Sequence, residues 1–335
     1  AALHTLKHAA DFGLVADNVG FDFSKIMARK DANLKKLVGG IGYLMKKNKI
    51  THLQGYASFV DRSTVLVTKS DGTTQTVTAN NVIVATGSVP TKLPVPGLDA
   101  ADIWHSNHEA SKRIVDGSIA EGAIWSSNEA VSAKRVPERL VVIGGGVIGV
   151  EFAYTYAGLG SKVTVLEFMP RVIANMDADL GTELAKILKK QGVELKTEVK
   201  VTGVTDNADG GKTVSFEGKD GVAGSVEADV VLVATGRTPF TEGLNLDAIG
   251  IALGSDKGRR AIPVDTKMKT PVAGIYAIGD VVGSGLAHTA TAEGLVAAEN
   301  ICGHDAVMNY RAIPSCIYTE PEVASVGLSE EAARQ

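Results

Sequence analysis

Hydrophobic positions near the start of the chain recur at the three- and four-residue spacing of an amphipathic helix. This spacing is seen in residues 3–10 and again in residues 25–49, so residues 1–50 are predicted to be helical. From residue 50 to residue 84 the pattern changes to short apolar runs separated by turn residues, which is typical of strands. These predicted strand segments are residues 52–53, 64–67 and 81–84.

The chain from residue 140 onward alternates between continuous apolar runs and longer stretches with helical spacing. Fully apolar runs of four or five residues are typical of strands buried in a parallel sheet. The predicted strands are residues 140–143, 162–166, 194–204, 213–217, 230–233 and 275–278, and the predicted helices are residues 147–159, 179–191 and 289–301. Strands that alternate with helices in this way predict an α/β fold built from βαβ units.

A proline-rich segment and a short near-repeat lie between these two parts. Pro90, Pro94 and Pro96 fall within seven residues, which indicates a linker and a domain boundary. The near-repeat pairs residues 102–113 with residues 123–135, and we interpret it as a surface insertion, because long loops cost little free energy. His105 and His108 stand three apart in the first copy; without a third ligand they are not expected to bind a metal.

Composition excludes several classes of function. Across 335 residues, 44% are hydrophobic and 21% are charged, which is typical of a globular protein, and the net charge of −4 argues against a nucleic-acid partner. No apolar run of eighteen residues occurs, so no membrane span is expected.

Cys302 and Cys316 are the two cysteines; they match no metal motif, and we expect both to be ordinary buried residues.

A glycine-rich turn gives the clearest indication of chemistry. Residues 144–149 match G-x-G-x-x-G, directly after an apolar strand and at the start of a helix. In this context Gly144 permits the tight turn, Gly146 lets a pyrophosphate approach the backbone, and Gly149 lets the helix pack on the strand. The positive end of the helix then faces the diphosphate, so the turn predicts a dinucleotide site.

The acidic residue that ends the next strand predicts the coenzyme. Glu167 can accept hydrogen bonds from the ribose hydroxyls of NAD, and it would repel the 2′-phosphate of NADP. Arg171, four residues further on, does not take the place of this acid. We therefore expect the site to prefer NAD.

Three further strand ends carry a family resemblance. Residues 82–87 and 231–236 both end in Ala-Thr-Gly, and residues 275–280 end in Gly-Asp. In this order around the glycine-rich turn, the motifs resemble the flavoprotein disulfide reductases, which bind FAD and NAD in two Rossmann-like domains. Residues 286–294 and 318–324 resemble the dihydrolipoamide dehydrogenase branch of that family, so the start of an α/β interface domain is expected as well.

This resemblance implies a set of cofactor contacts and a domain organisation. FAD contacts would come from Ala57, Thr86, Gly87, Ser88, Asp280 and Ala287. NAD contacts would come from Gly144, Gly145, Gly146, Val147, Ile148, Gly149, Glu151, Glu167, Val201 and Gly236. The domains would be residues 1–97 (FAD), 98–135 (connector with the near-repeat), 136–261 (NAD), 262–311 (returning FAD segment) and 312–335 (start of the dimerisation domain).

Glu151 has two interpretations of equal weight. By resemblance it corresponds to a glutamate near the nicotinamide. It is also the kind of acid that the helix dipole favours in a solvated first turn.

The resemblance also implies an activity, partners and missing parts. The activity would be oxidation of dihydrolipoamide, carried on lipoyl domains of 2-oxo acid dehydrogenase complexes or the glycine cleavage system, by a homodimer in the bacterial cytoplasm or the mitochondrial matrix. The family's C-x4-C redox pair, first FAD turn and His–Glu base are not found, so we expect a fragment with weak flavin retention and little activity. A mercuric or glutathione-type reductase and a non-catalytic nucleotide-binding module remain alternatives.

Overall fold

The computed structural model describes residues 2–98, 103, 104, 113, 122–256 and 259–335. The chain separates into two compact units. The first unit comprises Ala1–Lys35, Pro90–Gly236 and Pro314–Gln335, and the second unit comprises Lys36–Val89 and Arg237–Ile313. The predicted bounds of the FAD, NAD and dimerisation domains stay predictions, because these units group residues by contact and not by ligand.

The described helices and strands follow in chain order. The helices are α1 (Ala2–Lys7), α2 (Phe23–Lys47), α3 (Ser127–Val131), α4 (Val147–Gly158), α5 (Ala178–Lys190), α6 (Ala287–Ile301) and α7 (Glu330–Ala333). The first nine strands are β1 (Tyr56–Asp61), β2 (Thr64–Thr68), β3 (Thr74–Thr78), β4 (Val82–Val84), β5 (Ser88–Pro90), β6 (Ile124–Trp125), β7 (Arg139–Ile143), β8 (Lys162–Leu166) and β9 (Glu194–Lys196). The others are β10 (Val199–Asp206), β11 (Lys212–Gly218), β12 (Ala223–Ala228), β13 (Val230–Val233), β14 (Arg237–Pro239), β15 (Gly254–Asp256), β16 (Arg259–Ala261), β17 (Ile275–Ala277), β18 (Pro314–Ile317) and β19 (Val323–Val326).

A five-stranded parallel sheet forms the centre of the first unit, in the order β6-β13-β7-β8-β9. Strands β7 and β13 are apolar at almost every position because both faces of the sheet are covered, and Val142 and Leu232 are fully buried. Helices α4 and α5 contribute Val150, Leu184 and Leu188 to the same core. The predicted βαβ pattern is confirmed here, with strand bounds that differ by a residue or less for β7, β8 and β13.

The second unit is built from smaller sheets. Strands β4 and β17 run parallel, in register from Val82 opposite Ile275 to Val84 opposite Ala277. Strands β1, β2 and β3 form an antiparallel meander, β15 pairs with β16, and β5 pairs with β14. Their shared core contains Phe59, Val84 and Ile275.

The surface interpretation of the near-repeat is wrong for its second copy. Residues 124–125 form the edge strand β6, and Trp125 is 1% exposed. Ser126 then caps α3 in a capping box with Glu129, and both side chains are buried. Most of the first copy, including His105 and His108, lies outside the described residues, although Ile103 is buried against the first unit's core.

Several local predictions also need correction. Residues 52–53 are not in a strand, while β3 and β12 carry mostly exposed polar residues and were missed. Helix was expected throughout residues 1–50, but residues 13–22 are not helical, and none of the residues of α2 is buried. Cys302 follows the end of α6 and is exposed, and Cys316 in β18 is only partly buried, so the expectation that both are buried is wrong.

No helix among the described residues combines the length and apolar character needed to cross a membrane.

Candidate nucleotide-binding sites

Three predicted NAD residues meet at one edge of the five-stranded sheet. The strands are parallel, so β7, β8 and β13 all end at the same edge. Gly144 and Glu167 directly follow β7 and β8, and Gly236 lies three residues after the end of β13. The N–H of Gly144 donates to the carbonyl of Leu166 at 2.9 Å. Ligands of doubly wound folds bind at this carboxyl edge, and the geometry therefore agrees with the predicted site.

The glycines of the turn are required by close main-chain packing. Gly144 has φ of 108°, and a Cβ there would lie 2.5 Å from the carbonyl oxygen of Ala234. A Cβ on Gly149 would collide with the carbonyl oxygen of Gly144. The turn is thus folded back on the sheet so tightly that only hydrogen fits at these two positions.

Gly146 differs from its neighbours because it faces open space. No atom lies within 4 Å of the place where its Cβ would be, and no side chain caps α4 at this residue. The first N–H groups of a helix have no partner within the helix, and they attract anions. Val147 and Ile148 turn their side chains into the core, which leaves their main chain to line the turn. An NAD pyrophosphate fits this uncapped, open helix end.

Glu167 is held against the glycine-rich turn. It is 9% exposed, and one carboxylate oxygen accepts a hydrogen bond from the N–H of Gly145. The other oxygen accepts from the N–H of Met169 at 2.6 Å. The carboxylate is thereby fixed beside the turn, where it still has lone pairs for ribose hydroxyls.

Arg171, which was not assigned to the NAD site, and the predicted NAD residues Val201 and Glu151 lie in different surroundings. Arg171 turns toward Glu331, 3.2 Å from both carboxylate oxygens. Val201 packs its side chain into a core beneath the sheet. Glu151, partly buried in α4, accepts a hydrogen bond from the N–H of Tyr318 at 2.9 Å. This hydrogen bond engages one carboxylate oxygen of Glu151. The assignment of Glu151 to a position near the nicotinamide stays a prediction.

Four predicted FAD residues meet in the second unit, at the carboxyl edge of β4 and β17. Thr86 and Gly87 follow β4, and Asp280 follows β17. Gly87 has φ of 75°, and its carbonyl accepts a hydrogen bond from the N–H of Phe240 at 2.9 Å. Ser88, which is 2% exposed, donates its hydroxyl to Asp280 at 2.5 Å.

Arg237 completes this polar cluster. Its Nε donates to the Ser88 hydroxyl at 2.7 Å, and its Nη2 donates to the Ser88 carbonyl at 2.6 Å. Burial lowers the pKa of the Arg237 guanidinium, and the charge of Asp280 acts in the opposite direction. We name Ser88, Arg237 and Asp280 the Ser88 cluster; it fixes the orientation of the Asp280 carboxylate.

Two buried hydroxyls around the start of α6 have no hydrogen-bond partner. They are Ser284 Oγ and Thr289 Oγ1, on either side of Ala287, the first residue of α6. Helix α6 has no side-chain cap. Unpaired hydroxyls in the segment that follows Asp280 fit a polar ligand such as the pyrophosphate and ribitol of FAD. Ala57 does not belong to this group; it is exposed in the β1–β2–β3 meander.

Sequence reasoning missed three residues of this region. Arg237 directly follows the second Ala-Thr-Gly, which was the one available signal. Glu293 is completely buried in α6 and accepts a hydrogen bond from the N–H of Gly279 at 2.6 Å. Tyr310 donates its hydroxyl to Glu293 at 2.9 Å, and no local pattern links these two residues.

Comparison with known proteins identifies the family to which the chain belongs. Residues 3–294 match the model of a family described as pyridine nucleotide-disulphide oxidoreductase. Mitochondrial dihydrolipoyl dehydrogenase of Bos taurus is 41% identical over 98% of this chain and 61% of its own length. The Homo sapiens protein of the same name is 40% identical over the same shares. The chain therefore spans about 61% of the length of these curated relatives.

Solved structures agree in fold. LpdA from Mycobacterium tuberculosis matches with a TM-score of 0.84 at 26% identity, covering 99% of this chain and 67% of that chain. The Cu(II) complex of RclA, an HOCl-induced flavoprotein disulfide reductase from Escherichia coli, shares the fold with a TM-score of 0.77 at 24% identity, covering 99% of this chain and 68% of that chain. The predicted α/β class with Rossmann-like domains is confirmed. By its motifs, its fold and its relatives, the chain belongs to the pyridine nucleotide-disulphide oxidoreductase family.

Proposed function

We propose that this chain carries the NAD site and several FAD contacts of a dihydrolipoyl dehydrogenase, an NAD-dependent flavoprotein that oxidises dihydrolipoamide. The observation that carries the proposal is the glycine-rich turn with Glu167 hydrogen-bonded to it, in a chain 41% identical to the bovine enzyme of that name. Mercuric and glutathione-type reductases are less well supported, because the relatives compared carry the dihydrolipoyl dehydrogenase name.

In the NAD site, main-chain groups would hold the phosphates and one side chain would select the coenzyme. The open N–H groups at Gly146, Val147 and Ile148 would bind the pyrophosphate, since the α4 N-terminus has no side-chain cap. Glu167 would accept the ribose hydroxyls and repel a 2′-phosphate. Gly236 and Val201 would add main-chain contacts.

In the second unit, the Ser88 cluster would orient Asp280 toward the ribitol and pyrophosphate of FAD. Thr86, Gly87 and Ala287 would contribute backbone, and Ser284 and Thr289 supply hydroxyls that are otherwise unpaired. When bound, FAD supplies two-electron redox chemistry between a dithiol and a pyridine nucleotide. Ala57, which is exposed in the meander, would be a peripheral contact.

Dithiol oxidation also needs a thiol pair, which these residues do not form. Cys302 and Cys316 lack the C-x4-C spacing, and Cys302 is exposed after a helix end. We therefore propose that this chain alone binds NAD but does not turn over dihydrolipoamide. A homodimer acting on lipoyl domains of 2-oxo acid dehydrogenase complexes or the glycine cleavage system would carry the activity. Its compartment would be the bacterial cytoplasm, or the mitochondrial matrix in a eukaryote.

Calorimetric titration of the purified 335-residue chain with NAD and NADP tests the coenzyme assignment. Hydrogen bonds to a charged acceptor are worth about 1.5–3 kcal/mol, so NAD should bind at least about tenfold more tightly than NADP. A parallel assay should detect FAD by the quenching of its fluorescence, and it should find no oxidation of dihydrolipoamide. Equal binding of the two coenzymes would contradict the role of Glu167, and normal turnover would contradict the need for a separate thiol pair.

A further inference from the structure

Glu293 is a buried carboxylate whose two oxygens each have one protein donor. It lies in α6 with no exposed surface, and it bonds Gly279 N–H at 2.6 Å and the Tyr310 hydroxyl at 2.9 Å. A buried carboxylate is costly unless it is hydrogen-bonded, and bonds to an ionised acceptor are among the strongest. Glu293 is therefore anchored at both oxygens, and it anchors the main chain of Gly279 in return.

Gly279 is the residue whose conformation decides where Asp280 lies. Its φ is 74°, in the left-handed region, and it connects the end of β17 to the turn that carries Asp280. Glycine has more conformational freedom than any other residue, so its native conformation needs an external restraint. The hydrogen bond from its N–H to Glu293 supplies that restraint.

Tyr310 controls the restraint from a distant point in the sequence. It lies in a short 3-10 turn just before β18, and its hydroxyl approaches Met268 at 3.8 Å as well as Glu293. Burial, followed by the bond to Glu293, raises the pKa of the Tyr310 hydroxyl. A tyrosine hydroxyl is protonated at neutral pH in any case, so it can act as the donor. A cavity of about 510 Å³ borders Tyr310, Glu293 and Ser284, so a Phe at position 310 would not be overpacked.

We propose that Glu293 and Tyr310 form a positioning pair that holds the Gly279–Asp280 turn in the geometry required to bind FAD. The inference rests on the assignment of Asp280 to the flavin site. Neither residue needs to touch the flavin; each acts through the turn. When the pair is broken, Asp280 occupies its binding geometry for a smaller fraction of the time, and the apparent affinity falls by that fraction.

Three variants separate the contributions of the pair. Tyr310→Phe removes one donor and leaves Glu293 bonded to Gly279. Glu293→Gln retains a side-chain oxygen that can accept from the N–H of Gly279. Its amide NH2 can donate to the Tyr310 hydroxyl, so this variant should act as a partial rescue. Glu293→Leu removes both bonds and should have the largest effect.

Matched controls come from the first unit. Tyr156 is a buried tyrosine whose hydroxyl donates to the carbonyl of Ala130 at 2.8 Å. Glu129 is a buried carboxylate that accepts a hydrogen bond from the N–H of Ser126 at 2.7 Å. Tyr156→Phe and Glu129→Gln thus remove the same chemical groups, and they lower general stability without involving the Asp280 turn.

Amide hydrogen exchange and FAD titration of the full chain decide the inference. Tyr310→Phe should speed amide exchange at residues 279–283 about tenfold and weaken FAD binding about threefold. Glu293→Leu should have a larger effect than Tyr310→Phe on both quantities. The effects of Glu293→Gln should be smaller than those of Glu293→Leu. The control variants should change neither quantity. Pair variants that lower the melting temperature as the controls do, with exchange and FAD affinity unchanged, would overturn the inference. Failure of the parent chain to bind FAD overturns the flavin assignment instead, while exchange still decides whether the pair holds the turn.

Discussion

The two candidate sites are both formed where parallel strands end, but they are built from different materials. At the carboxyl edge of β7, β8 and β13, glycines and main-chain N–H groups make the surface, and Glu167 is the main polar side chain. At the edge of β4 and β17, the surface is made by side chains that hold one another, chiefly the Ser88 cluster. The first site depends on the absence of side chains, and the second depends on their mutual hydrogen bonds.

This difference predicts that the first site should tolerate little change in shape and the second little change in polarity. A methyl group added to Gly149 meets a carbonyl oxygen that is part of the backbone and cannot move aside. A hydroxyl removed from Ser88 leaves space, and it takes away one hydrogen bond each from Arg237 and Asp280. Four substitutions test the contrast.

Gly149→Ala should have the largest effect. The new Cβ collides with the carbonyl of Gly144, so α4 must shift away from the sheet at a cost of about 3 kcal/mol. NAD affinity, measured by calorimetry, should fall about 100-fold or more, because the N–H groups move with the helix. Gly158→Ala in the same helix is the control, since no atom lies within 4 Å of its Cβ position. Gly158→Ala should raise the free energy of unfolding by up to about 1 kcal/mol. Similar losses in both variants would mean that the close packing at Gly149 is not responsible.

Glu167→Gln should act on the coenzyme and leave the turn in place. The amide oxygen can still accept one main-chain N–H, but the charge that repels a 2′-phosphate is gone. NAD affinity should fall about tenfold, and the preference for NAD over NADP should shrink by a similar factor. Glu183→Gln, on the exposed face of α5, is the control and should alter neither affinity. An unchanged preference in Glu167→Gln would remove this residue from coenzyme selection.

Ser88→Ala tests the side-chain-built site. Loss of the bridging hydroxyl should lower stability by about 1–2 kcal/mol and weaken FAD binding, because Arg237 and Asp280 lose their common partner. NAD binding should stay the same. Ser225→Ala, at an exposed position of β12, is the control and should change neither stability nor FAD affinity. If FAD affinity in Ser88→Ala equals that of the parent, the Ser88 cluster is structural only.

Asp229→Asn should give the smallest effect, and it concerns the opposite edge of the five-stranded sheet. Burial by itself raises the pKa of Asp229, but its hydrogen bonds with Arg139 outweigh burial and lower the pKa overall. A lowered folded-state pKa adds stability above the unfolded value of about 3.9, and that stability is lost as the pH falls through the folded-state pKa.

The variant should therefore be about 1 kcal/mol less stable at pH 7, and the difference should disappear in acid, as urea unfolding at several pH values can show. NAD affinity should be unaffected, since Arg139 begins β7 and the nucleotide edge lies at its other end. A deficit that persists at low pH would indicate lost packing instead of lost charge.

The contrast between the sites also decides what the sequence could predict. The glycine-rich turn and Glu167 could be identified because strand, turn, helix and acid follow one another within about thirty residues of a recognised motif. The Ser88 cluster joins residues separated by 149 and 192 positions, and Glu293 and Tyr310 are joined only by the folded chain. The burial of Trp125 was not predicted for the same reason. A two-residue edge strand is too short to show a period, and its partner strand β13 lies far along the chain.

The anchoring of Glu167 has an energetic consequence for the coenzyme site. A glutamate on a surface rotates among many rotamers, and ordering one on association costs about 0.5–1.5 kcal/mol. Here Gly145 and Met169 have already selected the rotamer through their N–H groups, so folding has met that entropic cost before any nucleotide arrives. The Glu167 carboxylate is therefore preorganised. If it accepts the ribose hydroxyls as proposed, differences in affinity among coenzyme analogues should reflect the contacts that each one makes with an acceptor whose position does not change.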